Sequence, residues 1–324
     1  MSENHNHWAD KKEVIKTNKP LKFVLILIKY TPRFLLHIII FPVALFYYFF
    51  AKSARKSAIQ YQKQLREFTN HKIPSRVSSY REICSFAFCL IEKMEGWLGK
   101  IKFSCIKYHD DDIDDILENL KERKGVLLIS SHLGNMELLR SLSDYNRQLV
   151  GHDVPVYVVM DMQVNNNFTD TLKTVNKNFS LNIINSTDIG PDSMVTLMEA
   201  VENGSIVVIA GDRTSAKERE KVIEQSFLGK KANFPYGVFL MPFLLKVPVY
   251  YMFGLRGRIS IFGSKQNVYI EKSKIDFECP RTEREKNIKL CCAEFVSKLE
   301  KFCALYPYQW YNFFDFWSDA NEEK

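Results

Sequence analysis

The chain has 324 residues, of which 46% are hydrophobic and 26% charged, and its modest Gly and Pro contents exclude a collagen-like or disordered chain. Its 24 Phe and 15 Tyr create a large apolar surface that must be buried in a core, in lipid or around an apolar ligand. This aromatic load favours a lipid-related protein. The length allows two domains, or one α/β domain with extensions.

Seven cysteines are present, an odd number without a C-x-x-C pair. A zinc ribbon, a thioredoxin-type motif and a disulfide framework are therefore poorly supported. We expect reduced thiols in a cytosolic compartment.

The net charge of +7 is unevenly distributed. Residues 1–108 hold 19 Lys and Arg against 7 Asp and Glu, whereas residues 109–324 hold 26 against 31. A basic arm suits nucleic acid, but this one is fused to the most apolar part of the chain, which favours an anionic membrane surface. We expect a membrane partner and no nucleic-acid partner.

The apolar stretch at 21–50 carries its ionisable residues on one stripe of a helix, with Pro32 and Pro42 expected to kink it. The part free of Lys and Arg, 34–50, has 17 residues, at the lower limit for crossing a bilayer. Residues 51–66 then add five basic residues and no acid. A soluble hairpin fits, but an apolar stretch with a basic flank favours an interfacial anchor or a span. We predict an N-terminal helical membrane-anchoring region (1–108) and an α/β domain (109–324), without a cleaved signal peptide.

Helical and strand patterns alternate from residue 113 onward. Short apolar runs predict strands at 126–130, 154–160, 180–185, 205–210 and 247–253, followed by a possible hairpin of 258–263 with 267–271. Helix-spaced apolar residues predict helices at 113–120, from about 135, at 167–178, 194–201 and 288–302. This alternation predicts an α/β fold, a largely parallel mixed sheet with helices on both faces and a ligand site at the carboxyl ends of the strands.

The predicted strand 126–130 runs into His132-Leu-Gly-Asn-Met-Glu. If His132 lies in the turn and Asn135 begins a helix, Glu137 falls in its first turn and can fold back toward the imidazole. A carboxylate on one ring nitrogen fixes the tautomer and raises the basicity of the other, so the pair predicts a general base. The alternative is a helix-capping histidine beside an ordinary first-turn acid. One His and one Glu form a poor metal site, and we expect none.

A second candidate group follows the predicted strand at 205–210. Arg213 suits a bidentate clamp on a phosphate or carboxylate, and Asp212 either orients Arg213 or contacts the base. A solvated charged loop is the competing interpretation, chiefly for the lysines between 217 and 231. An apolar helix-like run after residue 237 suits a chain-like ligand. The candidate substrate-binding residues are Asn135, Asp212, Arg213, Phe234, Pro235 and Gly237.

Taken together, these blocks resemble the bacterial lipid A late acyltransferase family, the lauroyl and myristoyl transferases, within the lysophospholipid acyltransferase-like superfamily. His132 and Glu137 match the superfamily motif His-x4-Asp/Glu. Further blocks follow in family order: the N-terminal hydrophobic, basic helix pair and residues 211–213, 227–229, 234–237, 247–249 and 309–314.

The resemblance implies transfer of a fatty acyl group from acyl carrier protein or coenzyme A to a hydroxyl of lipid A or a related glycolipid. The reaction would need no further cofactor and would take place at the cytoplasmic face of the inner membrane. His132 would deprotonate the acceptor, Glu137 would support it and Arg213 would hold an anionic group. The family often has an Asp-x-Asp tract at 212–214, where this chain has Asp-Arg-Thr, so the acceptor stays open.

Two other functions compete with acyl transfer. A non-catalytic, membrane-associated lipid-binding protein of the same fold is the main alternative, although both His132 and Glu137 are retained. A nucleotide- or sugar-phosphate-dependent transferase would need a glycine-rich phosphate loop, which the sequence lacks. The N-terminal basic excess also suits an acidic carrier protein.

Overall fold

Three helices precede the sheet in the computed structural model, which describes residues 27–28, 30–97, 103–109, 112–136, 138, 150–160, 181–214, 221–258 and 265–317. They are α1 (Arg33–Phe50), α2 (Lys52–Phe68) and α3 (Ser79–Trp97). Pro32 caps the amino end of α1, and Pro42 lies inside it. The predicted helices from about 135 and at 167–178 lie outside the described residues, apart from 135, 136 and 138.

Seven strands form one mixed sheet in the order β1-β9-β8-β2-β5-β3-β4. They are β1 (Ile106–Tyr108), β2 (Val126–Ser130), β3 (Val156–Met160), β4 (Leu181–Asn185), β5 (Ile206–Ala210), β8 (Val249–Arg256) and β9 (Gln266–Lys272). Only the β8–β9 pair is antiparallel among the described pairings of this sheet. The prediction of an α/β fold with a largely parallel mixed sheet is therefore confirmed.

Helices cover both faces of this sheet. They are α4 (Asp112–Lys121), α5 (Pro191–Glu202), α6 (Tyr236–Leu245) and α7 (Arg281–Leu305). Val126 and Leu128 of β2 share a core with α4, whereas Leu127 and Ile129 share another with α5, α6 and α7. Burial on both faces explains why β2 is a continuous apolar run, as expected of a central parallel strand.

Two hairpins differ from the sequence-based expectation. Strand β9 pairs with β8, so the first arm is 249–256 and not the predicted 258–263, of which 259–263 lie outside the described residues. A separate antiparallel hairpin joins β6 (Val222–Phe227) to β7 (Lys230–Pro235), where the sequence suggested a charged loop. Its turn, Leu228-Gly229, has both φ angles positive, as two-residue hairpins favour.

Helix α1 is mostly exposed although it is apolar. Of the described helices, it alone is long and apolar enough to cross a membrane by length and composition, and 22% of it is buried. Leu36, Ile40 and Ala44 face the protein. The large side chains left exposed are Phe34, Leu35, Ile38, Ile39, Phe41, Val43, Leu45, Phe46, Tyr47, Phe49 and Phe50.

Candidate active site

The turn after β2 is held close to β8 by glycines. Gly134 has φ +81°, and a Cβ atom there would lie 2.1 Å from the carbonyl oxygen of Gly254. The next backbone N–H, of Asn135, donates to that same oxygen at 2.7 Å. Only glycine fits this turn, which fixes the position of His132 two residues earlier.

His132 is held by Asp212, at the carboxyl ends of two neighbouring strands. Nδ1 of His132 lies 2.8 Å from Oδ1 of Asp212. The backbone N–H of His132 donates to both carboxylate oxygens, at 3.1 and 2.9 Å. The two side chains meet because Ser130 of β2 pairs with Ala210 of β5, which places both turns at one edge of the sheet. Of the two roles considered for Asp212, the structure shows contact with the imidazole.

A C-terminal segment, residues 309–312, completes the site. It runs antiparallel to the His132 turn: Gly134 N–H donates to Gln309 O at 2.8 Å, and Tyr311 N–H donates to His132 O at 3.1 Å. Trp310 Nε1 donates to Oδ2 of Asp212 at 3.0 Å, and Asn312 Nδ2 donates to the same oxygen at 3.3 Å. The fully buried carboxylate thus accepts four kinds of donor, as a buried charge requires.

Aromatic rings surround the indole of Trp310. The centroids of Tyr61, Phe227 and Phe316 lie 4.9, 5.1 and 4.8 Å from it. Trp317 follows at 6.0 Å. The Trp310 side chain is fully buried, so its N–H has a fixed direction.

Arg213 is tied to the same segment. Its Nε donates to Asn312 Oδ1 at 2.7 Å, and an Nη2 hydrogen goes to Tyr311 O at 2.9 Å. The guanidinium carbon lies 5.7 Å from the centre of the Phe314 ring. Burial lowers the pKa of Arg213 to about 10, so it remains a cation at neutral pH.

The electrostatic setting favours the neutral form of His132. Burial and the charge of Arg213 lower its pKa below the ordinary value, against the opposing effect of Asp212. Burial raises the pKa of the Asp212 carboxyl group, but the contacts with His132 and the charge of Arg213 lower it by more. The pKa of Asp212 therefore lies below its ordinary value. Because a carboxylate only accepts, Nδ1 carries the proton and Nε2 the lone pair. The imidazole is 29% exposed, and no hydrogen bond from a described residue reaches Nε2.

A buried arginine connects the site to α3. Arg256, at the carboxyl end of β8, donates to the Ser85 carbonyl at 2.9 and 3.1 Å and to the Tyr311 hydroxyl at 3.1 Å. Its ion pair with Glu92 measures 3.6 Å. One turn of α3 after Ser85, Cys89 Sγ lies 3.4 Å from the Gly134 carbonyl oxygen. Helix α3 therefore lies along the edge of the sheet that carries His132.

The structure places the other candidates as follows. Phe234 is a core residue, packed on Phe227, Phe295 and Phe316. Pro235 caps α6, and Gly237 is the second residue of that helix. Asn135 is buried and contacts β8 through its backbone. Glu137 lies outside the described residues.

Sequence reasoning missed Trp310, Asn312 and Arg256 as parts of the site. Trp310 and Asn312 lie in a block noted only for its family resemblance, and a charged residue at the end of an apolar strand was the signal for Arg256. Across the described part of the chain, no three His, Cys, Asp or Glu side chains cluster as metal ligands.

A scan against protein-family models and a search of the curated proteins find no match to this sequence. The family resemblance therefore rests on the sequence motifs alone.

Proposed function

We propose that this chain is a membrane-associated acyltransferase that moves a fatty acyl group from a thioester donor to a hydroxyl of a lipid acceptor. One observation carries the proposal: the imidazole of His132 is oriented through Nδ1 by the buried Asp212, and no described residue forms a hydrogen bond with its Nε2. That is the arrangement a general base needs. His132 is the base and Asp212 orients it. The His-x4-Glu motif assigns Glu137 a supporting role.

The chemistry follows from this arrangement. Nε2 of His132 takes the proton of the acceptor hydroxyl as its oxygen attacks the thioester carbonyl. The resulting imidazolium is stabilised by Asp212 across the 2.8 Å contact. When the tetrahedral intermediate collapses, the carbon–sulfur bond breaks and the leaving thiolate takes that proton from Nε2. Arg213, fixed by Asn312 and Tyr311, supplies a positive charge for an anionic group of donor or acceptor.

The exposed helix α1 supports a lipid acceptor and a membrane location. Its exposed apolar side chains form a contiguous face of the kind that inserts in lipid. The Arg33–Glu95 ion pair, at 2.5 Å, joins α1 to α3, which borders the site. An anionic inner-membrane surface on the cytoplasmic side is the expected location.

Helix α2 adds a basic surface next to α1. Lys52, Lys56 and Lys63 are exposed and share one stripe of the helix. This stripe suits anionic lipid headgroups and an acidic carrier protein. We propose acyl carrier protein as donor, with coenzyme A as the alternative, and lipid A or a related glycolipid as acceptor.

The test is direct acyl transfer. Purified protein in nanodiscs is mixed with acyl carrier protein or coenzyme A thioesters and a bacterial lipid extract, and the products are identified by mass spectrometry. We expect a new acylated lipid that disappears with His132→Ala. His109→Ala is the matched control, because β1 runs opposite to β2 and places His109 at the other edge of the sheet.

The main alternative, a lipid-binding protein without chemistry, predicts a different result. His132→Ala would then bind lipid and restore a deletion strain as well as the wild type. Unchanged lipids in the deletion strain, with a soluble metabolite accumulating, would contradict the proposed substrate class.

A further inference from the structure

We propose that Trp310, with Asn312, is a positioning residue that fixes the Asp212 carboxylate so that Oδ1 faces Nδ1 of His132. The assignment of His132 as a base rests on the proposed function, whereas the positioning rests on the geometry.

The donors around Asp212 are divided between its two oxygens. Oδ2 takes the indole N–H of Trp310, the amide of Asn312 and the shorter of the two bonds from the His132 backbone, at 3.0, 3.3 and 2.9 Å. Oδ1 takes the imidazole at 2.8 Å. Rotating the carboxylate would break bonds at Oδ2, so these donors hold Oδ1 toward the ring.

Both positioning side chains are themselves fixed. Three aromatic rings pack around the Trp310 indole within 5.1 Å, and its main chain is paired with the His132 turn. The amide of Asn312 has only one possible orientation, because Arg213 Nε donates to its Oδ1 at 2.7 Å. Its Nδ2 must therefore point to Asp212. A constraint of this kind lowers the reorganisation that a catalytic group needs.

Other titratable groups of the described residues also act on the pair. Arg213 and Lys93 of α3 act on the imidazole, in addition to Asp212. Burial raises the pKa of the Cys303 thiol of α7, and the charge of Asp212 raises it further, so this thiol stays neutral. A Trp310→Phe substitution leaves all of them in place and removes one donor to Oδ2.

Removing that donor has a predictable direction. The carboxylate of Asp212 loses the hydrogen bond from the Trp310 indole, which stabilises its negative charge. More of that charge then acts on the imidazole. We expect the pKa of His132 to rise by about half a pH unit or more. With acyl transfer as readout, kcat falls about tenfold or more and the acid limb of its pH profile moves to higher pH, while the donor KM stays within about threefold.

Trp317→Phe is the matched control. Trp317 is buried in the same aromatic cluster, and its indole N–H donates to the carbonyl of Phe227 at 3.3 Å instead of to Asp212. Each substitution therefore replaces a buried indole by a smaller phenyl ring and removes the hydrogen bond of its N–H group. Asn312→Leu should shift the pKa of His132 in the same direction as Trp310→Phe, because it removes another donor to Oδ2 and also releases Arg213, whose charge lowers that pKa.

The experiment follows the ring nitrogens of His132 by NMR titration of the full-length protein in nanodiscs, with His132→Ala identifying the resonance. A pKa of His132 raised in Trp310→Phe and unchanged in Trp317→Phe supports the proposal. Equal shifts in both variants, or none in either, overturn it. A shift specific to Trp310 in a protein that transfers no acyl group keeps the positioning role and refutes the proposed function.

A ring-preserving replacement covers the case in which Trp310→Phe does not fold. Benzothienylalanine at position 310 keeps the bicyclic shape and replaces the N–H by sulfur, so packing is retained and the donor is lost. The same replacement at position 317 is its control. The pKa of His132 should rise only for position 310, and an unchanged value there overturns the proposal.

Discussion

Replacing Asp212 by Asn changes one buried atom and should remove the base. Three donors point at the place of Oδ2, from Trp310, Asn312 and the His132 backbone. The amide oxygen of Asn must occupy that place, because each charge-assisted bond lost would cost about 1.5–3 kcal/mol. Its NH2 group then donates to Nδ1 of His132, which moves the imidazole proton to Nε2 and leaves no lone pair for the acceptor hydroxyl.

The expected loss is that of general-base assistance, about 10²–10⁴-fold in kcat. KM should change little, because the Asp212 side chain is fully buried. The pKa of His132 should fall further, since the carboxylate that raises it is gone.

The assay is steady-state acyl transfer from pH 5 to 9, combined with the tautomer of His132 read from its ring nitrogen shifts. Asp115→Asn serves as the control, because Asp115 also bonds Tyr250 and pairs with Lys272 at 2.8 Å, away from His132. A kcat for Asp212→Asn within threefold of the wild type, with the Nε2–H tautomer present, would refute the reasoning.

Three further predictions concern stability and membrane binding. Gly134→Ala should lower the free energy of unfolding by about 3 kcal/mol or more, measured in denaturant, since its Cβ would meet backbone at 2.1 Å. Gly151→Ala, also at positive φ but with open space around it, should cost about 1 kcal/mol, and equal costs would contradict the steric argument. Burial raises the pKa of Glu82 in the folded protein well above its usual value. The folded protein therefore loses stability as the pH rises from the pKa of Glu82 in the unfolded chain toward its pKa in the folded protein. Glu82→Gln should therefore gain about 1.4 kcal/mol relative to the wild type for each pH unit in that range, and a pH-independent difference would count against this. Phe46→Glu, on the exposed face of α1, should lower partitioning into anionic vesicles at least about tenfold in flotation assays, whereas Val195→Glu on α5 should not.

The sequence predicted the central strands well because their signal is local. Strand β2 coincides with the predicted strand at 126–130, between Gly125 and the His132 turn. The sequence did not predict the β6–β7 hairpin, because its strands carry charged and polar residues on the exposed side. Its order comes from distant contacts instead: Phe227 and Phe234 are buried in the main core, and Leu228 O accepts a bond from Gln64 of α2 at 2.7 Å.

The candidate site was predicted in pieces. His132 and Asp212 were both singled out, since each follows a predicted strand, but 80 residues separate them. Their contact depends on strand order, which local patterns do not contain, so the role of Asp212 stayed open. Trp310 and Asn312 carry no local signature of a role, because their function depends entirely on what they meet in the fold.

The hydrogen bonds from Trp310 and Asn312 to Asp212 also have a consequence for biosynthesis. Trp310 is translated 98 residues after Asp212, so the ribosome has made the whole sheet before the indole reaches the carboxylate. Until then, the Asp212 carboxylate lacks the two side-chain donors from Trp310 and Asn312. The orientation of the proposed base is therefore completed only after the C-terminal segment has been made.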